Sequence, residues 1–292
     1  MLNITDIRAK WERTPIPDEV VAIRETIKSR FGNLEFIEDG HKYYLHKGDA
    51  KKEMNSVSSV CHMFEPEVDW EDILTRKALR LGIDKEDLRR QWKETNITST
   101  SNGTLTHLFA EAYMYFFMGK PELMPDVISR MQYEDGFLIP YGEKQRAVAK
   151  YYEDLYKVDN FYPVMPETQI YIDADDNPYG IKKDISGTFD ALFAFKDKKN
   201  EFKLSCRDWK TNKSLENDYN ILNNNMLLSP FDLYIDQPKS VYTIQLSLYQ
   251  LGIEQTGYKV VDRKLLWLTD DGDYHKIDVE DVRNKLVDNL SR

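Results

Sequence analysis

The stretch 162–211, "YPVMPETQIYIDADDNPYGIKKDISGTFDALFAFKDKKNEFKLSCRDWKT", constrains the fold most. Apolar residues alternate along it, and turn signals interrupt it at "DDNPYG" and "KDKKNE". A period of two with breaks of this kind predicts three or four strands, mostly a meander. In its last piece, "EFKLSCRDWK", alternation puts Phe202, Leu204, Cys206, Asp208 and Lys210 on one face. An acid and an amine thus extend a core-facing row, and Trp209 falls on the opposite face as a packing anchor. Cys206 reads as a core residue.

The segments around this meander have helical texture. Helices are expected over 69–82, 84–95, 104–119, 121–134, 142–158, 240–257 and 280–290, with "STSNG" (99–103) as a breaker. A hairpin is expected over 34–48, around Asp39-Gly40, and two further strands after Gly257. The segment 54–64 is ambiguous, and 212–239 reads as a polar insertion with apolar anchors. The order of elements is therefore that of an α/β or α+β core with an N-terminal helical region.

Composition bounds the function. The chain has 292 residues, of which 41% are hydrophobic and 12% aromatic, enough for a sizeable core. A net charge of −10 argues against a protein that coats duplex DNA, but not against an enzyme with a local basic channel. Two cysteines, Cys61 and Cys206, exclude a four-cysteine metal site and fit a reducing compartment. With no apolar signal core in the first residues and no apolar run near membrane length, a cytoplasmic protein without membrane contact is expected.

Four constellations carry chemistry. A turn at "KDKKN" would bring Asp190 in "ISGTFDALFAF" beside Asp208, and two converging carboxylates suit Mg²⁺ or Mn²⁺. Asp208 and Lys210 form the second. His107 and Glu111 share a helix face, as do Gln245 and Tyr249. Each has a plainer reading alone: a strand-end ion pair, a turn-capping Asp, a His bonded to Glu, a satisfied core Gln–Tyr pair. Gly103, before the helix of His107, would allow close backbone approach.

Their order is more specific than any one of them. "GTLTH", "SGTFD", "DWKT" and "QLSLY" resemble, in sequence, the motifs of the RecB-like branch of the PD-(D/E)XK nuclease superfamily. The likeness spans roughly residues 41 to 268 and extends toward exonucleases of phages and of the mitochondrial genome maintenance type. "NSVSSVCHMF", "LRRQWKET" and Glu167 in "PETQIYI" match further pieces of those proteins.

The resemblance implies a restriction-endonuclease-like core in a single nuclease domain. The helical region 69–158 would form an arch or wall over a catalytic part at 159–292. It implies His107, Asp190, Asp208 and the Trp209 backbone carbonyl as ligands of Mg²⁺ or Mn²⁺. Lys210 would act on the attacking water and the scissile phosphate. Thr211, Gln245 and Tyr249 would hold DNA, with Glu111 and Glu167 in support. Some relatives bind an iron–sulfur cluster through four cysteines; with two here, none is expected.

The expected activity is hydrolysis of DNA that is single-stranded or has free ends, in the replication, recombination or repair of a phage or bacterium. No G-x-x-x-x-G-K-[ST] motif occurs, so a helicase or recombination protein would be a separate partner. Trp70, Trp92, Phe116 and Phe117 are candidate base-stacking residues, and Lys144, Arg146 and Lys150 candidates for a basic channel. Three rivals remain: an inactive nucleic-acid-binding module, a structure-specific endonuclease, and a carboxylate-pair hydrolase of the glycosidase kind. The last leaves Lys210 unexplained.

Overall fold

A computed structural model describes residues 15–120, 123 and 142–292. The expected helix over 121–134 lies outside the described residues, apart from Leu123. In chain order the elements are α1 (Asp18–Phe31), β1 (Leu34–Ile37), β2 (Lys42–Lys47), β3 (Ala50–Ser56) and α2 (Val57–His62). Next come α3 (Trp70–Leu81), α4 (Lys85–Phe117), α5 (Glu143–Leu155), β4 (Phe161–Ile172), β5 (Ile185–Lys196) and β6 (Phe202–Lys210). The chain continues with α6 (Asp218–Asn223), α7 (Pro238–Glu254), β7 (Val260–Leu268), β8 (Tyr274–Asp278) and α8 (Arg283–Leu290). This is an α/β protein with one mixed sheet flanked by helices.

The expected meander is present as three strands, with β5 antiparallel to both β4 and β6. Alternation sorts the side chains of β5, β6 and the neighbouring β7 between two cores. Leu192, Leu204, Cys206 and Leu265 pack with α1, α2, α7 and α8. Phe193, Trp209, Leu266 and Leu268 pack with α4 and α5. Trp209 is fully buried there, 5.2 Å from Tyr151 in an edge-on contact. Pro163 and Pro166 lie in β4, which among the described residues pairs only with β5. A prolyl residue cannot donate to a second ladder, so the edge is where such a strand fits.

The topology has one consequential feature. β4 runs along β5 from Ile185 to Phe195 and fills one edge. β3 and β6 must then share the other edge. β3 pairs in parallel with Ile185 and Ser186, and β6 pairs antiparallel from Ala191 to Lys196. Between them the sheet forks, and residues 187–190 face the gap.

One expectation fails. No break occurs at 99–103: α4 is continuous for 33 residues, about 50 Å at 1.5 Å per residue. Ser, Thr, Asn and Gly lower helix propensity by at most ~1 kcal/mol each, but none removes a backbone hydrogen bond as Pro would. The two expected helices are thus one, and Gly103 sits inside it. A Cβ there would lie 3.5 Å from Thr211 Oγ1, an ordinary van der Waals contact, so the expected close backbone approach does not require glycine at 103. The first half of α4 is mostly exposed and packs on α3 through Leu74, Ala78 and Leu88. Its second half, from Leu105, is buried against the sheet.

The remaining segments agree more closely. The ambiguous 54–64 is the end of β3 followed by α2, capped by Ser56. The 34–48 hairpin gains a third strand, β3. In the 212–239 insertion the buried anchors are Leu215, Leu227 and Phe231. No helix among the described residues is long and apolar enough to cross a membrane.

Gly252 on α7 faces the fully buried Ile170 of β4, and a Cβ there would lie 2.6 Å from its Cδ1 and 3.0 Å from its Cβ. Gly252→Ala gains roughly 1 kcal/mol of helix propensity but forces overpacking that costs about 1–3 kcal/mol. A net loss of stability is expected in denaturant unfolding; a raised midpoint would show that β4 yields.

Candidate metal and phosphate site

Asp190 sits at the inner end of the fork, beside Asp208 across the β5–β6 ladder. Its carboxylate is buried and doubly held: Oδ2 accepts from the Trp209 backbone N–H at 2.5 Å, and Oδ1 lies 2.9 Å from His107 Nδ1. The second contact bridges the sheet to α4. Burial disfavours the charge on Asp190, but His107, Lys210 and the Trp209 N–H outweigh it and hold its pKa below the usual range.

Glu167 completes a close group. It stands opposite Asp190 in the β4–β5 ladder, between the pairs Pro166–Ala191 and Thr168–Phe189. Its φ is 41°, in the left-handed region that costs a non-glycine residue roughly 1–2 kcal/mol. His107, Glu167 and Asp190 each bring a ligand atom within 4.8 Å of the other two. Two carboxylates facing each other repel. A protonated His107 offsets this without a metal, and a divalent cation would offset it more strongly. The donors, carboxylate oxygens with one imidazole, could hold a divalent cation.

Asp208 lies outside that close group and is paired differently. Its Oδ2 is 2.5 Å from Lys210 Nζ, in an ion pair that lacks hydrogen-bond geometry. That atom is buried, and its one close partner among the described residues is the Lys210 ammonium. Burial, assisted by Asp190 and opposed by Lys210, pushes the Asp208 pKa up to about 6.

Lys210 is held on several sides. Nζ donates to Gln245 Oε1 at 3.2 Å, and Gln245 Nε2 donates to the Tyr249 hydroxyl at 3.1 Å. The ammonium also lies 3.8 Å from the centre of the Tyr242 ring. Burial would lower its pKa, but Asp208, Tyr242 and Asp190 more than compensate and raise it. Tyr249 packs at 5.5 Å from Phe189 and against Gly187, where a Cβ would meet its ring at 2.9 Å.

Two clefts flank this row. One, of about 320 Å³, lies in the fork and reaches Glu167, Gly187, Asp190, Gln245 and Tyr249. The other, of about 740 Å³, lies between α4, α5 and the end of β6 and includes Gly103, Thr106, Lys144, Thr211 and Lys213. Thr211 therefore opens onto the second cleft, while Gln245 and Tyr249 open onto the first. Glu111 is buried one turn along α4 from His107.

Several expected contacts take other roles. Phe116 is buried and Phe117 packs 5.7 Å from Tyr152, so both belong to the core rather than to a stacking surface. Trp70 is exposed, and Trp92 packs on the α3–α4 cluster near Lys77. Lys144 pairs with Asp270 at 3.0 Å, Lys150 with Asp273 at 2.7 Å, and Arg146 with Glu143. The expected basic stripe on α5 is thus matched by acids of the β7–β8 turn and of α5 itself. Tyr242 escaped the sequence reading, although it lies on the Gln245–Tyr249 face at i−3. Glu167 was legible only as a supporting group, because nothing in an alternating strand announces a left-handed residue.

No protein-family model matches the chain, and no curated protein matches it.

The His107–Asp190 pair would make metal binding at this group pH-dependent. Burial disfavours the imidazolium, but Asp190 more than offsets this and raises the His107 pKa from 6.5 to about 9. The pair therefore stabilises the metal-free protein fully below pH 6.5, and that stabilisation is lost as pH rises through about 9. Unfolding midpoints of the metal-free protein should fall across this window, and should not in His107→Gln. Ligation also requires neutral imidazole, so Mn²⁺ binding at pH 7 should release about one proton per ion. Calorimetry in buffers of different ionisation enthalpy reads this directly; buffer-independent heats would remove His107 from the ligand set.

Proposed function

We propose that the chain is a Mg²⁺- or Mn²⁺-dependent deoxyribonuclease with a PD-(D/E)XK-type core, acting on DNA strands with a free end. The observation that carries this reading is the partly buried His107–Glu167–Asp190 group, with Asp208 and Lys210 on the next strand. The ordered motifs "GTLTH", "SGTFD", "DWKT" and "QLSLY" supply residues of that neighbourhood, which supports treating them as one site.

His107, Glu167 and Asp190 would hold the cation, with Asp208 and the Trp209 carbonyl beside them. A bound divalent ion supplies a nucleophile at neutral pH and stabilises charge on the phosphoryl oxygens. Asp190 orients His107, and the Trp209 N–H fixes Asp190, so the ligand set is positioned by the backbone.

Lys210 stays protonated at neutral pH, because the surrounding carboxylates raise its pKa. It therefore acts as a donor to a phosphate oxygen or to the attacking water, not as a general base. Such a fixed donor favours the transition state, where phosphoryl charge is greatest. Gln245 holds the ammonium, Tyr249 holds Gln245, and Tyr242 covers its outer side. Thr211 would contact the strand in the larger cleft, with Lys213 near a phosphate.

Asp208→Ala and Lys210→Ala should each lower Mg²⁺-dependent hydrolysis of linear DNA by about 10³-fold or more, with unchanged circular dichroism. Full activity in both would sink the assignment. Retained DNA binding with no hydrolysis by the native chain would favour an inactive binding module. Circular single-stranded DNA should resist cleavage; rapid cutting of circles would make the protein an endonuclease.

A further inference from the structure

The strand-and-turn segment 34–43 has no part in the metal chemistry, yet it forms one wall of the fork cleft. Phe36 pairs across the β1–β2 ladder with Tyr43, their ring centres 4.7 Å apart and tilted by 33°. The turn then folds His41 back onto both: its ring lies 4.9 Å from Phe36 and 5.8 Å from Tyr43, nearly perpendicular to each. That return requires left-handed backbone at two successive positions, Gly40 with φ 78° and His41 with φ 51°. Glycine accepts this freely, whereas His41 pays for it in strain. The Tyr43 hydroxyl lies 3.2 Å from Thr188 Oγ1, which ties the aromatic wall to β5 two residues before Asp190.

The wall faces a cleft of about 320 Å³ whose opposite side includes Glu167 and Asp190. Its size falls within the roughly 300–1,000 Å³ of ordinary ligand sites. The charge of its lining decides what can enter. Glu38, Glu167 and Asp190 line it, and no Lys or Arg does among the described residues. Away from the cation that Glu167 and Asp190 would hold, a phosphate beside the aromatic wall would meet Glu38 without a compensating base. A nucleobase is uncharged, can stack on one of the two nearly perpendicular rings, Phe36 or His41, with the other at its edge, and has polar edges for Ser56, Thr188 or Gln169.

We infer that the Phe36–His41–Tyr43 wall is a base-stacking pocket that receives the terminal nucleobase of the DNA strand and sets the adjacent phosphate at the metal site. The inference rests on the nuclease reading above. Phe36 and His41 are positioning residues, since they touch the base and not the reacting atoms.

The test uses the full chain in Mg²⁺ and short single strands that differ only in an abasic residue at the 5′ or the 3′ terminus. An abasic residue at one of the two ends should slow the native protein about tenfold, the scale of one base–aromatic stack. Phe36→Ala and His41→Ala should each narrow that ratio toward one, and Phe36→Tyr should restore it. His41 is exposed, so its variant remains informative if Phe36→Ala fails to fold. Equal cleavage of base-containing and abasic strands at both ends, or a ratio unchanged in both alanine variants, would overturn the pocket and leave the nuclease reading standing. No metal-dependent cleavage of any strand would overturn both.

Discussion

The buried carboxylate of Asp190 is the constraint on which the site depends. An unpaired carboxylate inside an apolar strand costs several kcal/mol, so its partners must be supplied by the fold. Here they come from separate elements: a backbone N–H of β6 and the imidazole of α4. Satisfying one acid therefore fixes how helix and strand meet. It also fixes the charge balance. Without a metal, the acids Glu167, Asp190 and Asp208 face the cations His107 and Lys210. A divalent ion entering among them would displace the His107 proton. In the metal-free state the charge on His107 lets the carboxylates stay close without unrelieved repulsion.

The fork in β5 gives this group its access. Were β3 and β6 to meet along one edge, residues 187–190 would be closed into the ladder and Asp190 would face only protein. Because β3 ends its pairing at Ser186 and β6 begins at Ala191, the space between them is lined by side chains from both halves of the chain. Gly187 lets Tyr249 and Val57 pack where any larger residue would hold them apart. A helix and a strand far apart in sequence thus close the floor of one cleft, and the β1–β2 turn closes its side.

Much of this was legible in the sequence, for local reasons. A period of two is a property of the strand itself, so the shared face of Cys206, Asp208 and Lys210 and the opposite placement of Trp209 could be read directly. The i, i+4 pair Gln245–Tyr249 is equally local, and its hydrogen bond is present. What was lost is tertiary. Polar residues at 99–103 look like a break because propensity is additive and weak, yet α4 continues through them. Glu167 gains its place from a left-handed residue opposite Asp190, and Tyr242 from a lysine that arrives from another strand. The sequence also cannot show that Lys144 and Lys150 are already paired with acids across a turn.

That last point bears on how an acidic chain would hold DNA. Proteins that bind through phosphates gain affinity by releasing counterions, one for each phosphate neutralised. Here the net charge is −10, and the basic residues of α5 are matched by acids. Among the described residues, few unpaired cations remain near the clefts to contribute that term. Under the proposed activity, affinity must then come from elsewhere: the divalent ion on the scissile phosphate, Lys210 beside it, and stacking of bases on aromatic rings. Each of these acts within a few ångströms of the reaction centre, and none extends along a duplex. An enzyme that holds its substrate only near the reacting bond has little grip on the middle of a long strand. That economy fits action at an end better than search along an interior.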